Sequence, residues 1–400
     1  MKVLSIPKEV EFILERLEKS GHRADVVGGP VRDFLLGKAP DDYDITTSAL
    51  PEEVKRIFAD YRTVDTGIKH GTVTLVLGKN QYEITTYRVD GEYKDARRPE
   101  SVSFTDSLGE DLCRRDFTVN AMCYSPRHGV TDLHGGESDL RAKIIRAVGD
   151  PAIRFSEDAL RILRALRFSS VLDFHIEEKT AAAALVKKEL LRLVSGERIY
   201  TEWKKLVSGV NAYSVLEGYR DIISVFLPEL SSLRLPDREL FSRADGFVRT
   251  LGIFYLTLGE SAPLSYSTAM RRLKTDRDTE ISGKEILSSV GKYDLSNRRS
   301  VRRMLSALSE DRARALVRLE ILLGRIGEGS ESVIDAVLSA GIPYKLSALS
   351  IGGEDLLRLG ATGREVGRIL NSLLSLVMDE TLPNDRELLL SEALKEISRV

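Results

Sequence analysis

Residues 24–47 read ADVVGGPVRDFLLGKAPDDYDITT, and this stretch decides the predicted fold of the N-terminal part of the chain. The apolar run Ala24–Val27 predicts a short strand, and the two glycines and the proline after it predict a tight turn into a helix that starts near Val31. Tyr43–Thr46 predicts the next strand. A strand, a glycine turn, a helix and another strand in so short a segment indicate a small α/β unit.

The acidic triplet before the second strand contains two carboxylates on one face. Side chains alternate along a strand, so Asp42 and Asp44 share a face and Asp41 points to the other. Two close carboxylates repel each other unless a cation lies between them, and Mg²⁺ prefers such oxygen ligands. Asp42 and Asp44 are therefore the predicted catalytic residues and metal ligands of a two-metal phosphoryl transfer. Taken alone, the pattern also fits an acidic strand edge or a helix cap.

The glycine turn upstream favours the catalytic interpretation over an ordinary tight turn. Glycines let the backbone approach a ligand, and the N–H groups at a helix start suit a triphosphate. Arg32, in the first turn of the predicted helix, can reach the same anion. Gly29 and Arg32 are predicted nucleotide-binding residues, and Gly28 is a further candidate.

A predicted hairpin brings one more carboxylate towards this pair. Thr72–Leu77 and Tyr82–Tyr87 predict two strands joined by the turn Gly78-Lys79-Asn80. Glu83 is a candidate third metal ligand, although a solvated strand residue fits the pattern equally well. The polar stretch Asp90–Glu100 predicts a mobile loop.

From Ala152 onward the apolar spacing changes to three and four residues, which indicates helices. Phe155–Val171, Thr180–Lys188 and Ile199–Val207 show this spacing, and the rest of the chain predicts further helices with breaks at prolines and glycines. The predicted fold class is α+β, with a mixed-sheet head followed by all-α segments.

Composition limits the classes of protein that fit. The chain has 400 residues, which suggests two to four domains, and a net charge of -2, which does not by itself indicate a nucleic-acid partner. Its arginines crowd locally, and such clusters suit a polyanion whatever the total charge. The clusters lie at 97–98, 114–115, 161–167, 271–277 and 298–303.

The sequence gives no signature of a metal-cysteine site or of a membrane span. Cys113 and Cys123 form no CxxC pair, and the five histidines have no zinc-binding spacing. No apolar run approaches the ~20 residues needed to cross a bilayer. We therefore expect no membrane association, no haem, flavin or zinc, and a cytoplasmic location.

A series of motifs runs in collinear order over nearly the whole chain. They are GGPVRDFLLGKAPDDYDITTSALPEEV (28–54), YEITTYR (82–88), DGEYKDARRPESVSF (90–104), EDLCRRDFTVNAM (110–122), DLHGGESDL (132–140), RFSEDALRILRALRF (154–168), GERIYTEWKKL (196–206) and IGGEDLLRLGATGREVGRILNSLLSLVMDETLPND (351–385). Together they resemble the motifs of the class II tRNA nucleotidyltransferase and bacterial poly(A) polymerase family.

This resemblance implies a fold and an activity. The fold is a polymerase-β-like nucleotidyltransferase head with a mixed sheet (1–148), a nucleotide-selecting neck (149–207), a helical body (208–330) and an RNA-binding helical tail (331–400). The activity is template-independent addition of CMP and AMP to the 3′ end and acceptor arm of tRNA, with CTP and ATP as substrates and Mg²⁺ as cofactor.

The resemblance also implies site residues, carried over by motif match. Asp42 and Asp44 would bind Mg²⁺. The nucleotide contacts would be Gly29, Arg32, Arg115, Asp158, Arg161, Arg164 and Arg167. Asp116 and Asn120 are further candidates that could read the ribose. In the tail, a glycine-rich helix start makes Arg364 and Arg368 candidate RNA-binding residues.

The pair Asp158 and Arg161 suits the choice between bases. Three residues apart on a predicted helix, they share a face and present an acceptor beside a donor. Cytosine and adenine both offer an amino donor next to a ring-nitrogen acceptor, whereas uracil and guanine offer the reverse. Each mismatched, desolvated polar group costs ~1–3 kcal/mol. A surface helix with ordinary salt bridges is the competing interpretation.

Three functions remain open from the sequence. The first is CCA addition to tRNA. The second is an A-only enzyme of the same family, either an A-adding tRNA nucleotidyltransferase or a poly(A) polymerase. The third is a non-catalytic RNA-binding protein, which the intact Asp42, Asp44 and Arg32 disfavour.

Overall fold

A computed structural model of the chain describes residues 5–40, 42–91 and 102–398. The chain divides at residue 231 into two compact units. This boundary falls inside the segment predicted as the body, and the division into head, neck, body and tail stays a prediction.

The described residues of the first unit form eleven strands and eleven α-helices. The strands are β1 (Ala24–Val27), β2 (Asp44–Thr47), β3 (Arg62–Gly67), β4 (Thr72–Leu77), β5 (Asn80–Thr86), β6 (Arg88–Asp90), β7 (Val102–Phe104), β8 (Met122–Ser125), β9 (Gly129–Asp132), β10 (Ile144–Ile145) and β11 (His175–Ile176). The helices are α1 (Lys8–Lys19), α2 (Gly29–Leu35), α3 (Pro51–Ile57), α4 (Leu108–Cys113), α5 (Gly136–Ala142), α6 (Pro151–Glu157), α7 (Leu160–Leu172), α8 (Glu178–Lys187), α9 (Gly196–Val207), α10 (Ala212–Gly218) and α11 (Arg220–Phe226).

Seven strands form one mixed sheet in the order β3-β4-β5-β2-β1-β8-β9. Strands β2 and β5 pair in parallel, while the other neighbours pair antiparallel. The predicted mixed sheet is therefore confirmed. Its parallel register sets Asp44 opposite Glu83 at the start of β2, so the fold brings the two predicted carboxylates to one edge.

The core of this unit joins the sheet to α7. Ile13 and Leu14 from α1, Val26 and Ile45 from the central strands, and Phe168 from α7 belong to one buried apolar cluster. Burial of each such side chain contributes ~1.5–3 kcal/mol. The cluster therefore holds the strands that carry the glycine turn and Asp44 against the helix that carries the predicted base-reading arginine.

Most predicted elements are present with small shifts in their bounds. Strands β1 and β4 have the predicted bounds, and β2 begins one residue later than predicted. The strands β3 and β9 were not predicted, because RTVDTG and GVTD are too polar and too short to show apolar alternation.

The predicted single helix Phe155–Val171 is wrong, because the chain breaks at Asp158. Asp158 has φ −133° and ψ 101°, an extended conformation between α6 and α7. Its Oδ1 accepts a hydrogen bond from the Leu160 backbone N–H at 3.1 Å. Aspartate competes in this way with helical hydrogen bonding and starts a new helix.

Two predictions fall on residues that the structure does not describe. They are the orientation of Asp41 and most of the predicted loop Asp90–Glu100. Strands β6 and β7, on either side of that segment, pair antiparallel with Arg88 opposite Phe104.

The described part of the second unit contains helices and no strand, which confirms the predicted helical character. Its α-helices are α12 (Arg238–Arg243), α13 (Gly246–Leu258), α14 (Ala262–Arg272), α15 (Arg277–Ser289), α16 (Arg298–Ala307), α17 (Glu310–Leu322), α18 (Ser332–Ser339), α19 (Gly353–Arg358), α20 (Arg364–Met378) and α21 (Arg386–Ile397). One buried cluster packs α19, α20 and α21 through Leu356, Leu373 and Leu389. Over the described ranges, no helix has the length and apolar character that a membrane crossing needs.

Candidate active site

A cavity of about 450 Å³ in the first unit collects most of the predicted nucleotide-binding residues. Seven arginines and three aspartates line it, so its charge is strongly positive. The lining residues are Gly28, Gly29, Arg32, Asp44, Arg114, Arg115, Asp116, Asn120, Asp158, Leu160, Arg161, Arg164, Arg167, Phe168 and Arg198. A cavity of this size and charge suits a nucleoside triphosphate.

The glycine turn forms one wall and requires glycine at its first position. Gly28 has φ 81°, which L side chains rarely adopt. A Cβ there would also lie 3.4 Å from Nη1 of Arg115. Helix α2 begins directly after this residue with Gly29, which lines the same cavity as the arginine side chains.

Arg32 is held in place by three neighbours. Its Nε and Nη2 donate to the two carboxylate oxygens of Asp33 at 2.8 and 2.9 Å. Its Nη1 donates to Oδ1 of Asn120 at 2.7 Å. The guanidinium also lies over the ring of Phe168, 5.2 Å from the centroid. The predicted nucleotide contact is therefore preorganised before any ligand binds.

The acidic side chains at the sheet edge influence one another electrostatically. Partial desolvation raises the pKa of Asp44, Arg115 lowers it and the charge of Asp42 raises it, with a net upward shift. Desolvation, Asp44 and Asp42 all raise the pKa of Glu83. This mutual repulsion fits the donor set of a hard divalent cation.

The same geometry limits the role of Glu83. Within residues 5–40, 42–91 and 102–398, no three Asp, Glu, His or Cys side chains lie close enough together to hold a metal ion. Glu83 is exposed on β5, and its predicted role as third ligand is not supported by a three-carboxylate cluster. Asp42 and Asp44 stay the predicted metal ligands.

Arg114 and Arg115 are oriented by a buried carboxylate, Asp111, that could not be identified from the sequence. Asp111 on α4 is fully buried. It accepts hydrogen bonds from Nη2 of Arg114 at 2.7 Å and of Arg115 at 3.2 Å. Burial raises the pKa of Asp111 but the two arginines lower it further, so the net shift is downward. Thr46, two residues after Asp44 on β2, also donates to Asp111 at 3.2 Å, which ties the acidic edge to Arg115.

Asp116, a candidate ribose contact, is hydrogen-bonded to Arg164 and Asn120. Its Oδ2 accepts from Nε and Nη2 of Arg164 at 2.8 and 2.5 Å. Its Oδ1 accepts from Nδ2 of Asn120 at 3.2 Å. Burial opposes ionisation, yet Arg164 outweighs it and lowers the pKa of Asp116 to about 2. Asp116 and Asn120 line the cavity and also orient Arg164 and Arg32, and their role towards the ribose stays a prediction.

Three arginine guanidinium groups lie close to the aromatic ring of Phe168. Arg32, Arg164 and Arg167 lie 5.2, 5.4 and 3.7 Å from its ring centroid. Glu202 on α9 pairs with Nε of Arg167 at 2.6 Å. Burial lowers the pKa of Arg167 to about 10, although Glu202 opposes this and Arg164 adds to it. Ring contact and carboxylate together allow the cations to lie side by side.

The two predicted base-reading residues line the same cavity but not one face of one helix. Asp158 sits in the break before α7, and its Oδ2 accepts from Nη2 of Arg198 at 2.8 Å. Arg161 donates to Oε2 of Glu157 at 2.7 Å and to the carbonyl oxygen of Arg114 at 2.8 Å. Each is therefore fixed by its own protein partners, and the prediction that they share a helical face is wrong.

Arg198, which lines the cavity, and Glu202, which pairs with Arg167, were also missed, although both lie within a motif that the sequence shows. Arg198 and Glu202 both lie on α9 in GERIYTEWKKL. Their spacing of four residues places them on one face of that helix. Glu202 pairs with Arg164 and Arg167 of α7, whereas Arg198 pairs with Asp158.

The candidate RNA-binding arginines lie in the second unit. Arg364 opens α20 after Gly363, whose φ is 51°. Arg368 is exposed, and its Nη1 donates to Oε2 of Glu396 at 3.0 Å. Both side chains are accessible to a ligand.

Comparison with known proteins agrees with this arrangement. The family described as "Poly A polymerase head domain" matches residues 24–146, and "Probable RNA and SrmB- binding site of polymerase A" matches residues 173–233. The CCA-adding enzyme of Enterococcus faecalis is 38% identical over 414 aligned residues, covering 100% of this chain and 99% of that protein. That of Levilactobacillus brevis is 35% identical, covering 98% and 99%.

Solved structures show the same fold. The Bacillus stearothermophilus CCA-adding enzyme in complex with CTP has a TM-score of 0.82 at 28% identity and covers 98% of each chain. The Thermotoga maritima CCA-adding enzyme complexed with tRNA has a TM-score of 0.66 at 22% identity, a likeness of fold.

The mixed-sheet head, its acidic edge and the arginine cavity define a nucleotidyltransferase with a polymerase-type head. Nucleotidyltransferases of this type depend on a divalent metal. The extent of the similarity to the curated relatives narrows the class further: the chain belongs to the family of CCA-adding enzymes.

We expect Asp116→Ala to destabilise the protein by about 2–4 kcal/mol, because it leaves the guanidinium of Arg164 without its principal counter-charge. Urea-induced unfolding measures the change. Glu189→Ala is the matched control, because it removes an exposed partner of Arg192, and exposed pairs contribute only ~0–1 kcal/mol. Equal stability of the two variants would contradict the structural role of Asp116.

Acid titration gives this prediction a second measurement. The pKa of Asp116 is lowered from 3.8 to about 2, so its stabilising effect is complete above about pH 4 and is lost as the pH falls towards 2. The free energy of unfolding of Asp116→Ala should therefore fall less steeply below pH 4 than that of the unaltered protein.

Proposed function

We propose that this chain adds CMP and AMP, from CTP and ATP, to the 3′ end of tRNA. The observation that carries the proposal is the single cavity in which an acidic edge, a group of oriented arginines and the Asp158–Arg161 pair meet. The names of its full-length relatives, and the CTP complex of a CCA-adding enzyme 28% identical to it, support the same reaction.

Asp42 and Asp44 are the residues proposed to hold Mg²⁺, with the triphosphate supplying further oxygen ligands. When bound, the metal would help to deprotonate the terminal hydroxyl of the tRNA and neutralise the leaving pyrophosphate. The protein contributes position: the parallel register with β5 fixes the backbone at Asp44, and the Thr46–Asp111 hydrogen bond fixes that strand relative to α4.

Arg32 and Arg115 are proposed to bind the triphosphate, together with the N–H groups that follow Gly28. Each arginine keeps its position through a carboxylate, Asp33 for the first and Asp111 for the second. Groups that are already oriented need little reorganisation as charge develops on the phosphates, and this is the main source of electrostatic catalysis.

Asp158 and Arg161 are proposed to select the base. The carboxylate is an acceptor held by Leu160 and Arg198, and the guanidinium is a donor held by Glu157 and the Arg114 carbonyl. An acceptor beside a donor fits the Watson–Crick edges of cytosine and adenine and opposes those of uracil and guanine. In the proposed tail, Arg364 and Arg368 would contact RNA phosphates.

The reaction is tested with a tRNA transcript that lacks its terminal CCA. With Mg²⁺, CTP alone should give CMP addition, and CTP with ATP should complete the CCA end. Failure to incorporate CMP under any condition would overturn CCA addition, and incorporation of AMP alone would identify an A-only enzyme.

We expect Asp44→Asn to lower kcat by about a thousandfold or more, because the metal supplies several kcal/mol of charge stabilisation. Asp65→Asn is the matched control, because Asp65 is a half-exposed carboxylate of the same sheet paired with Lys55. Gel-shift binding of tRNA should be the same for both. Retained activity in Asp44→Asn would refute the metal assignment.

Asp158→Ala should relax base choice more than it slows addition of the correct nucleotides. We expect UMP and GMP incorporation, relative to CMP and AMP, to rise by about tenfold or more, since one discriminating contact is removed. Single-nucleotide assays measure the ratio, with Glu178→Ala, an exposed carboxylate of α8, as control. Unchanged selectivity would refute the role of Asp158.

A further inference from the structure

Arg198 is a cavity residue to which the proposed reaction gives no role. It lies in the first turn of α9, whereas Asp158 lies in the break before α7 and Arg161 lies on α7. It reaches across to the break before α7, where its Nη2 donates to Oδ2 of Asp158 at 2.8 Å. The pair is shielded, with side-chain exposures of 29% for Arg198 and 19% for Asp158.

This contact completes the orientation of the carboxylate. Oδ1 of Asp158 already accepts from the backbone N–H of Leu160 at 3.1 Å. With one donor on each oxygen, the plane of the carboxylate is fixed, whereas the terminal torsion of an unrestrained aspartate is broad. A carboxylate has about four lone-pair sites, so acceptor sites remain for the amino group of a base.

The two terminal nitrogens of Arg198 differ in their surroundings. Its Nη1 is buried and has no hydrogen-bond partner in the part of the chain that the structure describes. A buried donor without a partner costs free energy. The hydrogen bond from Nη2 to Asp158 is therefore the polar contact with a described residue that holds the guanidinium at the cavity.

We infer that Arg198 is a positioning residue that sets base selectivity, by holding the Asp158 carboxylate in the orientation that accepts the amino group of cytosine or adenine. The inference rests on the proposed function. Removal of the Arg198 guanidinium frees the carboxylate to rotate and accommodate other base edges. The metal pair and the triphosphate-binding arginines keep their own partners, so the chemical step itself is preserved.

Arg198→Met and Arg198→Lys test this on tRNA lacking CCA, with each nucleotide supplied singly. For Arg198→Met we expect the preference for CTP over UTP to fall by about tenfold or more. KM for CTP and ATP should rise more than kcat falls. Arg198→Lys should restore part of the preference, because lysine keeps the charge but donates as a point rather than as a fork. Arg192→Met, which removes an exposed arginine paired with Glu189, should match the unaltered enzyme.

A double variant separates action through Asp158 from general damage. If Arg198 acts through the carboxylate, Arg198→Met should cause little further loss of selectivity in the Asp158→Ala background. Unaltered selectivity in a folded Arg198→Met protein, or full additivity in the double variant, would overturn the inference. An unaltered enzyme that adds neither CMP nor AMP would instead overturn the proposed function.

Discussion

Repulsion among arginines is the constraint on which the cavity depends. Seven of them line one space of about 450 Å³, and like charges a few ångströms apart repel strongly where water is scarce. The fold offsets this with carboxylates that are themselves buried. Asp111, Asp116 and Glu202 each take one or two guanidinium groups, and Phe168 lies under three of them. The arginines therefore stay in place without a bound anion.

The carboxylates do not neutralise all of the arginines, so the cavity keeps a net positive charge that can bind the substrate. A carboxylate that pairs with an arginine reduces repulsion but also fixes the direction in which the remaining N–H groups point. Arg32 uses three donors on Asp33 and Asn120, yet it still lines the cavity. Triphosphate binding on such a surface requires little rearrangement of the protein. The same oriented charges are then available to the transition state, where negative charge moves towards the leaving pyrophosphate.

The sequence was informative where the chemistry is local. Gly28 and the strand–turn–helix around it could be predicted, since one glycine with positive φ and one helix start explain the pattern. The position of Asp44 at the start of a strand could also be predicted, because the residues that follow it show a local strand pattern. Asp111, Arg198 and Glu202 could not be assigned, because their roles come from partners on other elements. A buried aspartate in EDLCRRD and an arginine in GERI look like ordinary helix-surface residues until α4, α7 and α9 are packed together.

The break at Asp158 could not be predicted from the spacing of apolar residues, and it has a consequence for the site. The EDALR pattern suggests one continuous helix, and the spacing of Asp158 and Arg161 then implies a shared face. In a continuous helix, however, the Leu160 N–H would be bonded to a main-chain carbonyl. The break frees this donor for the Asp158 carboxylate and turns the same side chain towards Arg198. The interruption therefore costs a helical turn but leaves the Asp158 carboxylate held by a donor on each oxygen. A hydrogen-bond acceptor that distinguishes bases requires this rigidity.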